Sequence, residues 1–139
     1  MTIAYLALGS NLGDRPEHLA RARDLLAERG VRVLRSSSVI ETEPFGVTDQ
    51  PRFLNQVLEV EWRSGPRALL EVAKDVERQA GRTPSYRWGP REIDVDILLF
   101  GEERVDEPDL TIPHPGLRDR EFVLRPLGEL RPDLVEARR

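Results

Sequence analysis

The chain has no cysteine, one methionine and a single lysine, Lys74. Without cysteine there is no disulfide scaffold, no thiol nucleophile and no cysteine-based zinc site. Long apolar runs are also missing, and none approaches the roughly 20 residues a membrane helix needs. The first residues show no basic, apolar, small-residue leader. A cytoplasmic protein with no membrane partner is the expectation. Excess positive charge is the third absence. Twenty-five acids outnumber 21 bases, for a net charge of −4. That argues against coating nucleic acid through a basic face, because such binding grows with the phosphates neutralised.

What remains is 139 residues, 39% hydrophobic and 33% charged. This suits one domain spanning residues 1–139, large enough to close its own core. Every base except Lys74 is arginine, the side chain suited to bidentate grips on phosphate and carboxylate. A codon preference or a high working temperature explains that choice equally well.

Residues from Thr2 to Leu8 are apolar or small at nearly every position, as in a strand covered on both faces. After the loop Gly9–Gly13, Asp14 and Glu17 mark a helix start, and Gly30 marks its stop. Val31 to Thr42 reads as a second strand, Glu43 to Pro51 as a loop, and Phe53 to Trp62 as a third strand. Pro66 opens a second helix that Gly81 ends. Arg82 to Arg91 is a polar loop and Ile93 to Phe100 a fourth strand. Short strands follow near Val105 and at Leu110–Ile112, then a short helix from Phe122 to Leu130. The order βαββαβ predicts an α+β, ferredoxin-like core. Its antiparallel sheet would carry helices packed on it, with extra C-terminal strands and a short helix.

Asp94 and Asp96 lie two apart on the fourth strand, so both carboxylates leave one face. Leu98 and Phe100 are expected to continue that face as its buried part. A paired carboxylate beside phosphate and water suits a hard cation such as magnesium, and a solvated strand end is the plainer alternative. From Arg78 to Arg91 there are four arginines (Arg78, Arg82, Arg87, Arg91) and no acid. A cationic loop running into a metal-binding pair is what phosphoryl transfer needs; a surface loop paired with nearby glutamates is the competing explanation.

Arg87-Trp88-Gly89-Pro90-Arg91-Glu92-Ile93-Asp94-Val95-Asp96-Ile97-Leu98 resembles the signature of the 6-hydroxymethyl-7,8-dihydropterin pyrophosphokinases of folate synthesis. Ala7–Gly13, Asp49–Asn55, Ile112–Pro115 and Arg120–Leu124 resemble further segments of that family, so the likeness covers nearly the whole chain. The resemblance implies transfer of pyrophosphate from ATP to the pterin hydroxymethyl group, with AMP as the second product. It implies ATP as co-substrate and two magnesium ions on Asp94 and Asp96. Arg82 and Arg91 would act with the aspartates in catalysis. Leu70, Lys74, Glu77, Arg82, Arg91, Ile97, Thr111, His114 and Arg120 would surround ATP. Thr42, Glu43, Phe45, Phe53, Asn55, Asp94 and Phe122 would surround the pterin. A monomer is expected.

Those pterin assignments make physical sense, since two aromatic faces can sandwich a flat heteroaromatic and an asparagine amide offers both a donor and an acceptor. Each phenylalanine taken singly fits ordinary core packing as well. His18, in the first turn of a helix, matches nothing and is assigned to the surface. Two rivals are an RNA-binding module on the same architecture and a regulatory domain that binds a ligand without chemistry. The first lacks the aromatic-rich strand pattern and the basic charge. The second leaves Asp94, Asp96, His114 and Arg120 unexplained.

Overall fold

Strand β1 (Thr2–Ser10) runs through the middle of the sheet and sends side chains alternately to two covered faces. The computed structural model describes residues 1–44, 49–81, 92–117 and 120–136. Ala4, Leu6 and Leu8 of β1 enter the larger core, beneath helices α1 (Arg15–Glu28) and α2 (Pro66–Gln79). Tyr5 and Ala7 enter a smaller one, beneath helix α3 (Glu121–Leu130). The continuous apolar reading of β1 therefore corresponds to burial on both sides.

The helix signals act as expected. Asp14 accepts a hydrogen bond from the Glu17 N–H at 3.2 Å, which caps α1. Gly30, at φ +87°, turns the chain out of that helix. Pro66 opens α2, where its missing N–H costs nothing.

Strands β2 (Arg32–Ser36), β4 (Phe53–Trp62), β1 and β5 (Asp94–Phe100) lie side by side in that order, all antiparallel. Strand β3 (Ile40–Thr42) also pairs with β4. This is the arrangement expected of the βαββαβ order, with each helix crossing over to a strand two places away. Strands β6 (Val105–Glu107) and β7 (Leu110–Ile112) form a separate hairpin.

Three details differ from the sequence reading. The second strand is two strands, β2 and β3, broken at Ser37. Its N–H still reaches the Val57 carbonyl (2.8 Å), but its hydroxyl, rather than its carbonyl, accepts the Val57 N–H (2.8 Å). The freed carbonyl takes the Gln56 amide at 2.9 Å, so a side chain replaces one rung of the ladder. Phe100 does not share a face with Asp94, Asp96 and Leu98. The register slips between Tyr5 and Leu6, leaving Leu98 without a partner on β1, and Phe100 packs into the larger core. A further helix, α4 (Pro132–Glu136), follows α3. Pro132 at its first position and Asp133 in its first turn are ordinary start signals.

One polar cluster clamps the far end of α3. The Tyr5 hydroxyl donates to Glu59 at 2.5 Å, and Arg35 grips the same carboxylate with Nε (2.9 Å) and Nη2 (2.7 Å). The Arg35 Nη2 also donates to the Leu130 carbonyl at 2.9 Å. The carboxyl of Glu59 is held below its usual range, chiefly by Arg35. This joins β1, β2 and β4 to the C-terminal end of α3. Leu127 is fully buried between that helix and the sheet. Leu127→Ala is expected to cost about 2–5 kcal/mol, read as a lower urea midpoint with an unchanged slope.

Candidate functional site

The smaller core reaches the first turn of α3, and there, at Phe122 and Val123, it borders a cavity of about 260 Å³. Its floor is set by strand register. Asn55 of β4, Gly9 of β1 and Asp94 of β5 lie in one row across the sheet, and Val57, Ala7 and Asp96 in the next. Adjacent strands are about 4.8 Å apart, so Asn55 and Asp94 stand about 10 Å apart across β1.

Each wall offers different chemistry. The Asn55 Nδ2 donates to the Thr42 hydroxyl at 2.5 Å. This leaves its Oδ1 over Gly9, where an added Cβ would lie only 3.3 Å from it. Phe53 stands beside Asn55 on the sheet, and Phe122 enters from α3. Glu43 sits at the rim, exposed, and accepts from the Arg52 Nε at 2.8 Å. Asp94 is half-buried and Asp96 exposed. Among the described residues, no group of three or more histidine, cysteine or acidic side chains is placed to hold a metal. A cation on the aspartate pair would draw its other ligands from a bound substrate and water, as magnesium commonly does.

His114 and Arg120 line the same cavity as the carboxylates. The His114 N–H donates to the carbonyl of Leu98, the residue unpaired by the bulge, at 3.0 Å. The Gly116 N–H donates to the His114 Nδ1 at 3.0 Å. In the neutral ring the proton therefore sits on Nε2, which acts as a donor. Burial, followed by the nearby Arg120 charge, lowers the His114 pKa and favours that neutral form. The Arg120 guanidinium lies 5.8 Å from the centroid of the Phe122 ring.

The cavity thus gathers Thr42, Glu43, Phe53, Asn55, Asp94, Asp96, His114, Arg120 and Phe122 from the sequence-derived set. Leu70, Lys74, Glu77, Ile97 and Thr111 lie elsewhere. Leu70, Lys74 and Glu77 share one stripe of α2, and the Glu77 Oε2 accepts the Val95 N–H of β5 at 2.9 Å. Ile97 is buried in the larger core, and Thr111 is exposed on β7. Lys74 faces the β6–β7 hairpin, where Asp109 is held below its usual pKa first by the Arg67 hydrogen bond and more weakly by Lys74. Apart from the buried Ile97, this second group sits on α2 and β7, which pack against β5, while the first group lines the cavity. Phe45, Arg82, Arg87, Trp88, Arg91 and Arg118 lie outside the described residues.

The profile of the family described as 7,8-dihydro-6-hydroxymethylpterin-pyrophosphokinase (HPPK) matches residues 5–132. The chain belongs to the HPPK family. It is 46% identical over 129 residues to the 2-amino-4-hydroxy-6-hydroxymethyldihydropteridine pyrophosphokinase of Bacillus subtilis, covering 92% of this chain and 77% of that one. It is also 46% identical over 136 residues to the protein of the same name from Methylorubrum extorquens, covering 97% and 86%. A crystal structure of wild-type HPPK-DHPS from Plasmodium falciparum matches with a TM-score of 0.69 at 16% identity, over 96% of this chain and 40% of that one. That likeness is one of fold, and the chain spans well under half of the longer protein.

For an HPPK family member, several cavity residues escaped the sequence reading. Ala7, Gln56 and Val123 line the pocket as strand or helix neighbours of the predicted residues, and alternation along β1 is the signal that could have found Ala7; Leu98 lies on the face of the aspartates, as alternation along β5 predicts. Asn11, read only as loop, is buried and donates to the Gln50 Oε1 (2.8 Å) and the Pro51 carbonyl (3.0 Å), anchoring the approach to Phe53. His18 is not a surface residue: it is half-buried, with Nδ1 3.5 Å from the Ser10 hydroxyl. The lowered pKa of His114 makes a pH prediction. A histidine with a depressed folded pKa adds stability above its unfolded pKa of about 6.5, and loses it as pH falls toward the folded value. The melting temperature is expected to fall as pH is lowered below about 6.5, and His114→Gln should flatten part of that slope.

Proposed function

We infer that this chain transfers the terminal pyrophosphate of ATP to the hydroxymethyl group of 6-hydroxymethyl-7,8-dihydropterin, giving AMP and the pterin diphosphate in folate biosynthesis. Family membership over residues 5–132 is the observation that carries this reading, and the cavity chemistry agrees with it. In the balanced reaction, the pterin hydroxyl oxygen bonds to the β-phosphorus. The bond from that phosphorus to the oxygen bridging it to the α-phosphorus breaks, AMP leaves, and the hydroxyl proton is released.

The protein's part is binding, orientation and charge. Asn55 reads the donor edge of the ring through Oδ1 while Thr42 fixes the amide. Phe53 and Phe122 supply aromatic faces, with Glu43 and Phe45 at the rim. The His114 Nε2–H and Arg120 donate toward phosphate oxygens. Arg82 and Arg91 are assigned to the phosphates on the family pattern. Leu70, Lys74, Glu77, Ile97 and Thr111 are assigned to the nucleotide along the outer side of β5. Asp94 and Asp96 fit as the protein ligands of two magnesium ions, since they share a face at the mouth of an open cavity. Bound magnesium neutralises phosphate charge and acidifies an alcohol. Positioning and charge stabilisation carry the rate. We further propose that residues 1–139 act as one domain and as a monomer, in the cytoplasm. Among the described residues, no helix is long and apolar enough to cross a membrane.

Incubation with magnesium, ATP and the hydroxymethyl pterin should yield AMP and the pterin diphosphate; no AMP above a boiled control would overturn the reading. Asp96→Ala should lower kcat by at least about 100-fold. Phe122→Ala should raise the KM for the pterin by about 10-fold through lost stacking, with a much smaller change in kcat.

A further inference from the structure

Gly9 is a glycine that its backbone does not require. It lies within β1, paired with Asn55 on one side and Asp94 on the other, and its φ is outside the left-handed region. Glycine weakens a strand interior and often marks a place where a ligand comes close to the chain. The space above Gly9 is where the amide and an aromatic ring converge. A Cβ there would stand 3.3 Å from the Asn55 Oδ1 and 3.5 Å from the Phe53 Cδ1. Both atoms belong to the cavity wall, and a methyl group at that point would cover the acceptor face of the amide. The missing side chain also keeps the row from Asn55 to Asp94 open, a span of about 10 Å. A flat bicyclic ring with a one-carbon arm can lie along that row, its donor edge at Asn55 and its hydroxyl near the carboxylates.

We propose that Gly9 is a specificity-determining residue of the pterin pocket, its missing side chain leaving the Asn55 acceptor and the Phe53 ring uncovered toward the pterin. The inference rests on the pterin reading of this cavity. ATP is assigned to His114, Arg120 and the outer side of β5, so a substitution at Gly9 separates the two substrates.

The test compares Gly9→Ala with the parent and with Gly65→Ala, a control at a glycine with nothing within 4 Å of the added Cβ. Gly9→Ala should raise the pterin KM by at least about 10-fold, equivalent to one lost hydrogen bond. Its affinity for a nonhydrolysable ATP analogue, and the kinetics of Gly65→Ala, should stay within about twofold of the parent by the same measure. A pterin KM within twofold of the parent would overturn the proposal. So would an equal loss of pterin and ATP-analogue affinity, which marks a structural role. In the parent chain already saturated with the nonhydrolysable ATP analogue, added pterin should shift the Gly9 backbone amide resonance together with the Asn55 side-chain amide. An unmoved Gly9 signal would refute the proposal even if the variant does not fold. AMP release by the parent is checked separately; its failure strikes the pyrophosphokinase reading, while pterin binding to parent and variant by calorimetry still decides the role of Gly9.

Discussion

One extra residue in β5 determines which face each side chain of that strand serves. Up to Ile97, odd positions enter the core beneath α1 and α2 and even positions face α3; beyond Leu98 the order inverts, so Leu99 faces α3 and Phe100 enters the larger core. Without the bulge, no single register satisfies both halves. Either Phe100 leaves the larger core, or Asp94 and Asp96 turn into it. Burying two carboxylates in that apolar core costs far more than any local irregularity. The bulge lets a strand that is core at one end become a chemical surface at the other.

The strand is also held along its open edge. Among the described residues, β5 pairs with β1 alone, so its outer backbone groups need partners from outside the sheet. Glu77 supplies one at Val95, between the two aspartates, and His114 supplies another at Leu98. These bonds do more than satisfy the edge. They link α2 and the loop after β7 to the spacing of the carboxylates. At the opposite end, the Tyr5–Glu59–Arg35 clamp holds α3 by its last turn. Phe122 and Arg120, at the helix's other end, are thereby carried over the cavity by an element anchored well away from it. Stability and site occupy opposite ends of the same sheet face.

Where the chemistry depends on local periodicity, the sequence was legible. Residues two apart on a strand share a face, and Asp94 and Asp96 do so. The two crossover helices and the sheet order followed from element order and capping residues such as Asp14 and Pro66. The failures share a cause: each depends on a partner distant in sequence. Nothing near Phe100 encodes a bulge that is defined by its register against Tyr5 and Leu6. The break at Ser37 arises because its hydroxyl competes for a rung owned by Val57. Gly9 reads as the start of a loop, since glycine is a local stop signal, yet the strand continues through it to Ser10. The division of the predicted nucleotide residues between the cavity and the outer side of β5 was hidden for the same reason. Their types matched the family pattern, but which side of one strand they occupy is a property of the packed sheet.

That division bears on the proposed reaction. Among the described residues, those assigned to the pterin line the cavity, and most of those assigned to the nucleotide lie outside it. A single strand separates the two groups, and its face carries Asp94 and Asp96 at the cavity mouth. On that proposal, two substrates approaching from the two sides of β5 would bring their reacting ends together in the cavity that His114, Arg120 and the two carboxylates line. The chain's negative net charge is no obstacle to a polyphosphate arriving there. Over distances beyond about 10 Å surface charges are screened at ordinary salt, so the groups at the mouth govern the encounter. The excess of acid counts against an extended polyanion that must contact a broad surface. It does not count against a compact one held by a few placed cations.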